Sequence, residues 1–302
     1  MSGIYNFKRS SAFYIVYGGL KYNIDVYSDV NMSQTFSEES VTKRTLHSPN
    51  NVFDGAVITK AAPANFNFTI PLLDEEDFQI IFDLLVDYNG YTLKSFDFYV
   101  DSNHGVYKLD TCVFESGQFT MTQKEVLSLA LSGTAKQLTR VGNHGSYTIP
   151  GTLQARSIKR TFVIPTKLKT TVGGTTLDYV RSVTLEIQNK IAWTQNDTLQ
   201  ASLAVTNSSN TIYPGAFTLE SRILSGSITQ NVTDDNYSTQ QTWSTGSAIT
   251  VQIGNKSPYT IDVNIPSAVF TNRTELGDLI TQSYDFRMLS NPTALSSVIT
   301  YN

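Results

Sequence analysis

The stretch GVYKLDTCVFESGQFTMTQKEVLSLALSGTAKQL, Gly105–Leu138, holds two runs of alternating apolar and polar residues around a small-residue break. Alternation with period two is the pattern of a strand with one buried face, so the stretch predicts two strands about a turn at Glu115–Gly117. A weaker echo lies far downstream in YTIDVNIPSAVFTNRTELGDLITQSYDFRML, Tyr259–Leu289. Tyr107–Asp110 (YKLD) answers Tyr259–Asp262 (YTID), and Phe119–Glu125 (FTMTQKE) answers Phe270–Glu275 (FTNRTE) with a one-residue slip. Self-similarity at domain length decides the fold before any local reading. It predicts two similar β domains in tandem, residues 1–145 and 146–302, the alternative being coincidental β patterning.

Working outward, Gly18-Gly19 reads as a turn between two aromatic-rich strands. Ser37–Asn51 reads as a long loop carrying Lys43, Arg44 and His47, and loops of that size are functional or mobile. In Ala64–Pro71 (ANFNFTIP), Phe66, Phe68 and Ile70 share one face and Asn65, Asn67 and Thr69 the other. Asp74–Tyr88 (DEEDFQIIFDLLVDY) is the one strong helix. Acidic residues occupy its first turn, Phe78, Ile81, Phe82 and Leu85 form its apolar stripe, and Asn89-Gly90 ends it. Val141–Gly151 is turn-rich and reads as the linker. In the second half, Gly173-Gly174 predicts another tight turn, and Val180–Trp193 and Ile223–Val232 read as strands. No long helix follows them, and Ser290–Asn302 is a polar tail.

The chain has 302 residues, of which 16% are charged, against about 25% in an ordinary domain. Thr, Ser, Asn and Gln fill the difference. Such surfaces suit extensive protein contact, because charged groups are costly to desolvate. A net charge of −4 argues against a protein that grips nucleic acid, which needs a basic patch to neutralise phosphates. A mildly negative wall does fit a conduit along which DNA slides without sticking. Cys112, the single cysteine, reads as a buried structural thiol. No stretch approaches the roughly 18 apolar residues of a membrane helix, so no membrane partner is expected.

The catalytic inventory is thin. His47, His104 and His144 are scattered in turn-like surroundings, and no P-loop, nucleophile elbow, zinc-binding helix or dinucleotide fingerprint occurs. The Asp74–Asp77 cluster is explained by its place at a helix N-terminus, and Asp234-Asp235 lacks the spaced oxygens of a calcium loop. No enzyme activity, metal or cofactor is expected.

The order of a long loop (Ser37–Asn51), a phenylalanine-rich strand (Ala64–Pro71), one helix and the hairpin ending in TMTQKEVLSLALSGTAKQL resembles the tail-tube proteins of long-tailed bacteriophages. The segment FNFTIPLLDEEDFQIIFDLL carries most of the likeness. That resemblance implies a mainly β fold of sandwich or rolled-sheet domains, with sheets joined edge to edge around a channel. It implies a virion tail component assembled in the host cytoplasm, with double-stranded DNA passing through without specific binding during genome ejection. Two domains per chain imply a homotrimeric, pseudo-hexameric ring that stacks on itself and meets other tail or baseplate proteins. Lys43, Arg44 and His47 become the candidate inter-ring loop, and Leu127, Leu129 and Leu131 the candidate lumen or edge strand. Two alternatives stand beside the repeating tube. One is a terminal ring, as a baseplate-hub or tube-initiator component, and the other is a carbohydrate-binding adhesive module. Alternation alone leaves open which sheet face is luminal.

Overall fold

The computed structural model describes residues 11–26, 29–45, 48–72, 79–86, 88–89, 92–103, 105–122, 125–155, 164, 167–194, 212–237, 243, 245–254, 261–289 and 298–301. The first elements are β1 (Ala12–Tyr17), β2 (Leu20–Ile24), β3 (Asn31–Ser33), β4 (Phe36–Thr45), β5 (Ser48–Ala61) and β6 (Ala64–Pro71). The helix α1 (Gln79–Val86), β7 (Tyr88–Asn89), β8 (Thr92–Leu93), β9 (Phe96–Ser102), β10 (Gly105–Thr122) and β11 (Ser128–Gly142) follow. The rest comprises β12 (Thr152–Leu153), β13 (Lys167–Val172), β14 (Thr175–Leu177), β15 (Val180–Thr194), β16 (Ala216–Asn231), β17 (Thr245–Gly254), β18 (Ile261–Leu276), β19 (Ile280–Met288) and β20 (Ile299–Tyr301). The protein is mainly β, with one helix among the described residues.

Hydrogen-bonded neighbours in the first half run β2-β1-β9-β10-β11-β6-β3, and in the second half β14-β13-β17-β18-β19-β16-β15. The two orders are the same, position for position. They join where the C-terminal part of β10 pairs with β15, Ser116–Thr122 lying against Gln188–Ser182.

β10 makes this possible by serving two layers. Its N-terminal part pairs with β9 and its C-terminal part with β15, and between them the ladder slips at Leu109/Cys112. Thr111 sits in that slip at φ 53°, a left-handed conformation that costs a β-branched residue about 1–3 kcal/mol. The backbone N–H of Thr111 donates to Asp97 Oδ1, which holds the bend. Past it, β9 folds over β6, and Phe68 stacks on Phe98 at 5.0 Å between ring centroids while Phe96 meets Phe114 at 4.6 Å. Such pairs add about 0.5–1.5 kcal/mol each beyond their area burial. The result is a sandwich whose two inner faces share the phenylalanine core.

Glycines mark where neighbouring strands, or the helix, come closest. A Cβ on Gly133 would lie 2.2 Å from Val113 O and 2.6 Å from the Phe66 ring, and one on Gly226 would lie 2.2 Å from Thr184 O and 2.6 Å from the Phe286 ring. Gly117 faces α1 in the same way, its missing side chain leaving room for Leu85.

Several expectations change. The turn expected at Glu115–Gly117 is continuous strand, because Gly117 serves close packing there; the reversal falls between Thr122 and Ser128. The loop expected over Ser37–Asn51 is an antiparallel hairpin, β4–β5, forming a two-stranded sheet of its own. Its residues alternate too weakly in polarity to announce strands. The helix ends at Val86, before the expected Tyr88, because Tyr88–Asn89 pairs with Thr92–Leu93 and leaves Asn89 no capping role. Residues 73–78, which include the acidic first turn and Phe78, lie outside the described residues, as do His47, His104 and most of the C-terminal tail. Of that tail, Val298 and Ile299 are buried, and β20 pairs with β18. The expected linker is packed: Ile149 is buried, Tyr147 stacks on Tyr99, and β12 adds to β2 in parallel. The turns at Gly18-Gly19 and Gly173-Gly174 are as expected, with all four residues at positive φ, as primed hairpin turns require.

Helix α1 is buried on nearly every side, with Ile81, Phe82, Leu84, Leu85 and Val86 all inaccessible. Its last carbonyls therefore have no water to bond. Two side chains from the second half satisfy them. Asn189 Nδ2 donates to Leu85 O at 3.0 Å and to Phe114 O at 3.0 Å, while Arg222 Nη1 donates to Val86 O at 2.5 Å. Arg222 Nε donates to Asn189 Oδ1 at 2.6 Å, so the two act as one clamp. Replacing Asn189 with Ala strips two buried carbonyls of their donor and should cost about 2–3 kcal/mol in guanidinium unfolding. Gly133→Ala and Gly226→Ala should each cost about 2 kcal/mol or more in the same measurement, since the obstructing atom is backbone oxygen in both.

Candidate functional site: an uncharged polar sheet face

Eight consecutive strands, β3-β6-β11-β10-β15-β16-β19-β18, form one unbroken antiparallel wall. Period-two geometry sends alternate side chains to opposite faces. On one face lie Phe66 and Phe68, Leu129 and Leu131, Phe119, Leu185 and Ile187, Leu224 and Ile228, and Tyr284 and Phe286, all buried in the core. The register then dictates the composition of the other face.

One ladder crosses that face as Asn31, Asn67, Ser132, Ser116, Gln188. A second crosses as Thr120, Thr184, Ser227, Asp285, Thr271. Between them runs Gln118, Glu186, Ser225, Arg287. Eleven of these fourteen groups are hydroxyls or amides, half-buried or exposed, and three, Glu186, Asp285 and Arg287, are charged. They bond across and along the strands: Asn31 Nδ2 donates to Asn67 Oδ1 at 3.1 Å, Ser116 Oγ and Ser132 Oγ are 2.8 Å apart, and Gln188 Nε2 donates to Glu186 Oε1 on the same strand at 2.8 Å. The charges on this face include Glu186 and the Lys190–Glu220 pair at 2.8 Å on β15 and β16, and Asp285, Arg287, Arg273 and Glu275 on β18 and β19, where Arg273 pairs with Glu275 at 3.3 Å.

Such a face offers a polyanion neither a cationic hold nor a strong repulsion. Tight, salt-sensitive binding to nucleic acid comes from Lys and Arg displacing condensed counterions, and this wall has few of either. The six strands inside the wall are hydrogen-bonded along both sides, which holds their polar groups in place.

One end of the wall has a deeper polar contact. Trp193 Nε1 donates to Thr134 Oγ1 at 2.9 Å, and Thr134 Oγ1 donates to Glu115 Oε1 at 2.8 Å. Burial pushes the Glu115 carboxyl above its ordinary pKa, and the bond from Thr134 offsets part of that. Elsewhere the titratable groups are structural. Lys108 bridges Asp97 and Asp110 at 2.9 and 2.7 Å; burial opposes its charge, but these bonds outweigh burial and raise its pKa. Burial pushes the Cys112 thiol well above the usual range, leaving it unreactive. His144 Nδ1 lies 2.8 Å from Asp101 Oδ1 on the surface. Among the described residues, no group of three or more His, Cys, Asp or Glu is placed to hold a metal, and no helix is long and apolar enough to cross a membrane.

Leu127, Leu129 and Leu131 stand on or beside a wall strand, but their side chains are buried on the core face. They do not line a lumen. Nor is β11 an edge, since β10 and β6 flank it. The groups on the opposite face of that strand are Ser128, Ala130 and Ser132. Lys43 and Arg44 fall at the turn end of β4, Lys43 opposite Val52, and His47 lies outside the described residues. The polar face itself escaped the sequence reading apart from Asn65, Asn67 and Thr69. Its signal was present as Gln118-Thr120-Thr122, Ser182-Thr184 and Ser225-Ser227-Thr229, each alternating with core residues.

Glu115 supplies a pH test. Its folded pKa is raised, so its contribution to stability is full below the ordinary carboxyl pKa and is lost as pH rises through the folded value. Glu115→Gln, which keeps the acceptor for Thr134, should unfold like the parent near pH 4 and be the more stable of the two above pH 7 in parallel denaturant titrations.

A model of the Bacteriophage Baseplate Tube Protein Family matches residues 3–301. No curated protein matches the chain.

Proposed function

As a member of the bacteriophage baseplate tube protein family, the chain is a structural protein of the phage tail and baseplate, and we propose that it closes a ring around the path of the genome with its uncharged polar face turned inward. The observation that carries this reading is the eight-stranded wall, apolar on one face and hydroxyl- and amide-covered on the other. A bore must let DNA slide, and a wall without a cationic patch does not hold it.

The size of the wall supports three subunits. Three copies of eight strands make twenty-four, and at about 4.8 Å per strand the circumference is about 115 Å. The corresponding backbone diameter is about 37 Å before strand tilt widens it. After side chains are subtracted, a DNA duplex still fits. The recurring strand order supports two tandem tube domains per chain, and hence a homotrimer with pseudo-sixfold symmetry. Of the placements in the tail, the baseplate end is favoured over the repeating tube by the family's own description.

Contacts above and below the ring come from opposite ends of the wall. The β4–β5 arm, with Lys43 and Arg44 near its turn, leaves from the end where β6 begins. The tip of the β18–β19 hairpin leaves from the other end, where Leu276 and Leu279 are strongly exposed. A two-stranded ribbon is marginal alone in water, so the arm is the natural contact to a neighbouring ring.

Negative-stain microscopy and light scattering of the purified chain should show rings with the mass of three subunits. A monomer at every concentration and salt tested would overturn the ring. Ser116→Lys with Gln118→Lys should leave assembly intact while making rings retain double-stranded DNA at low salt, because the added cations point into the bore.

A further inference from the structure

We propose that Gln34 is the positioning residue of the β4–β5 arm: its side-chain amide stands in for a missing piece of strand and fixes the angle at which the arm leaves the wall. The inference rests on the arm reading above and names the residue through which that contact is aimed.

β3 with β6, and β4 with β5, are two stretches of one long hairpin that breaks in the middle. The first ladder ends at Ser33–Asn65, and the second begins at Phe36–Ala61. Pro63 lies in the break on the returning strand. A proline has no N–H to give to a ladder, so the pairing cannot run through it unbroken. One backbone bond, from Ala62 N–H to Thr35 O at 2.9 Å, crosses the gap. A two-stranded ribbon broken at its root has no direction of its own.

The break leaves a second gap, on the neighbouring strand. β11 loses β6 after Ala135–Ala64, while β10 accompanies it on the other side as far as Gly142. Gln34 fills the positions that β6 gives up. Its Oε1 accepts the Leu138 N–H at 3.0 Å, and its Nε2 donates to Lys136 O at 3.2 Å and to Ala62 O at 3.0 Å. A carboxamide carries the donor and the acceptor of a peptide group, so it pairs with β11 as a further strand residue would. The same amide holds Ala62, the residue beside Pro63, and so ties the root of the arm to the wall. Asn reaches one methylene less far, and Glu would set a carboxylate against two carbonyl oxygens. Length and chemistry together select Gln.

A second support comes from the other half of the chain. Ala61 N–H donates to Ile212 O at 2.8 Å, and Phe36 meets Tyr213 edge-on at 6.3 Å between ring centroids. Gln34 holds one side of the root and Ile212–Tyr213 the other, so the arm takes its direction from both halves. An arm aimed in this way reaches its partner already oriented, without the ordering cost that a loose segment meets on binding.

Spin labels at Lys43→Cys on the arm and Thr218→Cys, an exposed position on β16, report that direction. Dilution with unlabelled chain ensures that both labels of a measured pair lie in one subunit. Cys112 is fully buried and takes no label. The parent should give one narrow distance. Gln34→Met, equal in length but without hydrogen-bonding groups, should lose that distance to a broad distribution. Its Leu138 amide should also exchange with solvent about tenfold faster, as the loss of one hydrogen bond implies. Gln34→Asn, which keeps the amide but falls short, should behave like Gln34→Met. A narrow, unshifted distance in either folded variant would overturn the proposal. So would failure of both variants to fold, because Gln34 would then support the core rather than aim the arm. If the distance broadens as expected while the parent protein stays monomeric, the pivot stands and the ring reading falls.

Discussion

The ladder between β10 and β15 is the contact on which the rest of the molecule depends. It turns two halves with the same strand order into a single wall, and it runs only as far as Gln188. At Asn189 the backbone pairing stops and side-chain pairing takes over, with one amide reaching both Phe114 O and Leu85 O. Arg222 completes the arrangement on the next strand. The helix of the first half is therefore finished by residues of the second, and neither half satisfies its buried polar groups without the other. A buried guanidinium is expensive to desolvate, but here it sits against the negative end of a helix dipole and bonds the carbonyl there.

That junction also explains why the wall has two unlike faces. With β10 and β15 locked in register, every residue of odd or even number on the eight strands is assigned to the core or to the opposite side. A slip by one residue would expose Leu185 and Phe119 and bury Glu186 and Gln118. Gly117 leaves room for Leu85 of the helix, and Gly133 and Gly226 leave room for Phe66 and Phe286 of the strands paired beside them. The core is consequently dense on one side. The other side is left mostly to hydroxyls and amides that need no burial, with Glu186 and the charges of β18 and β19 among them.

The surface most shielded by regular structure carries no cationic row, no cluster fit for a metal among the described residues, and no activated nucleophile. That combination suits the proposed conduit, along which DNA would have to move. Among the described residues, β3 and the last part of β18 carry a ladder on one side only, which the proposed ring would accommodate.

Strong local signals were legible in the sequence. The phenylalanine strand at Ala64–Pro71, the glycine-pair hairpins and the long alternating run at Val180–Trp193 declare themselves through period-two patterning and turn chemistry, which act over a few residues. The low charge fraction foretold an uncharged surface, and the echo between Gly105–Leu138 and Tyr259–Leu289 hinted at a recurring unit. Other features needed the tertiary structure. Gly117 looks like a turn residue until Leu85 is seen occupying the space beside it. Leu127, Leu129 and Leu131 alternate in a way that fits either face, and only the strands on both sides of β11 decide that they point into the core. The Asn189–Arg222 clamp joins residues far apart in sequence to carbonyls of a third segment, and no periodicity announces it. Patterning specifies which residues share a face; long-range pairing decides which face meets water and which strand is left without a neighbour.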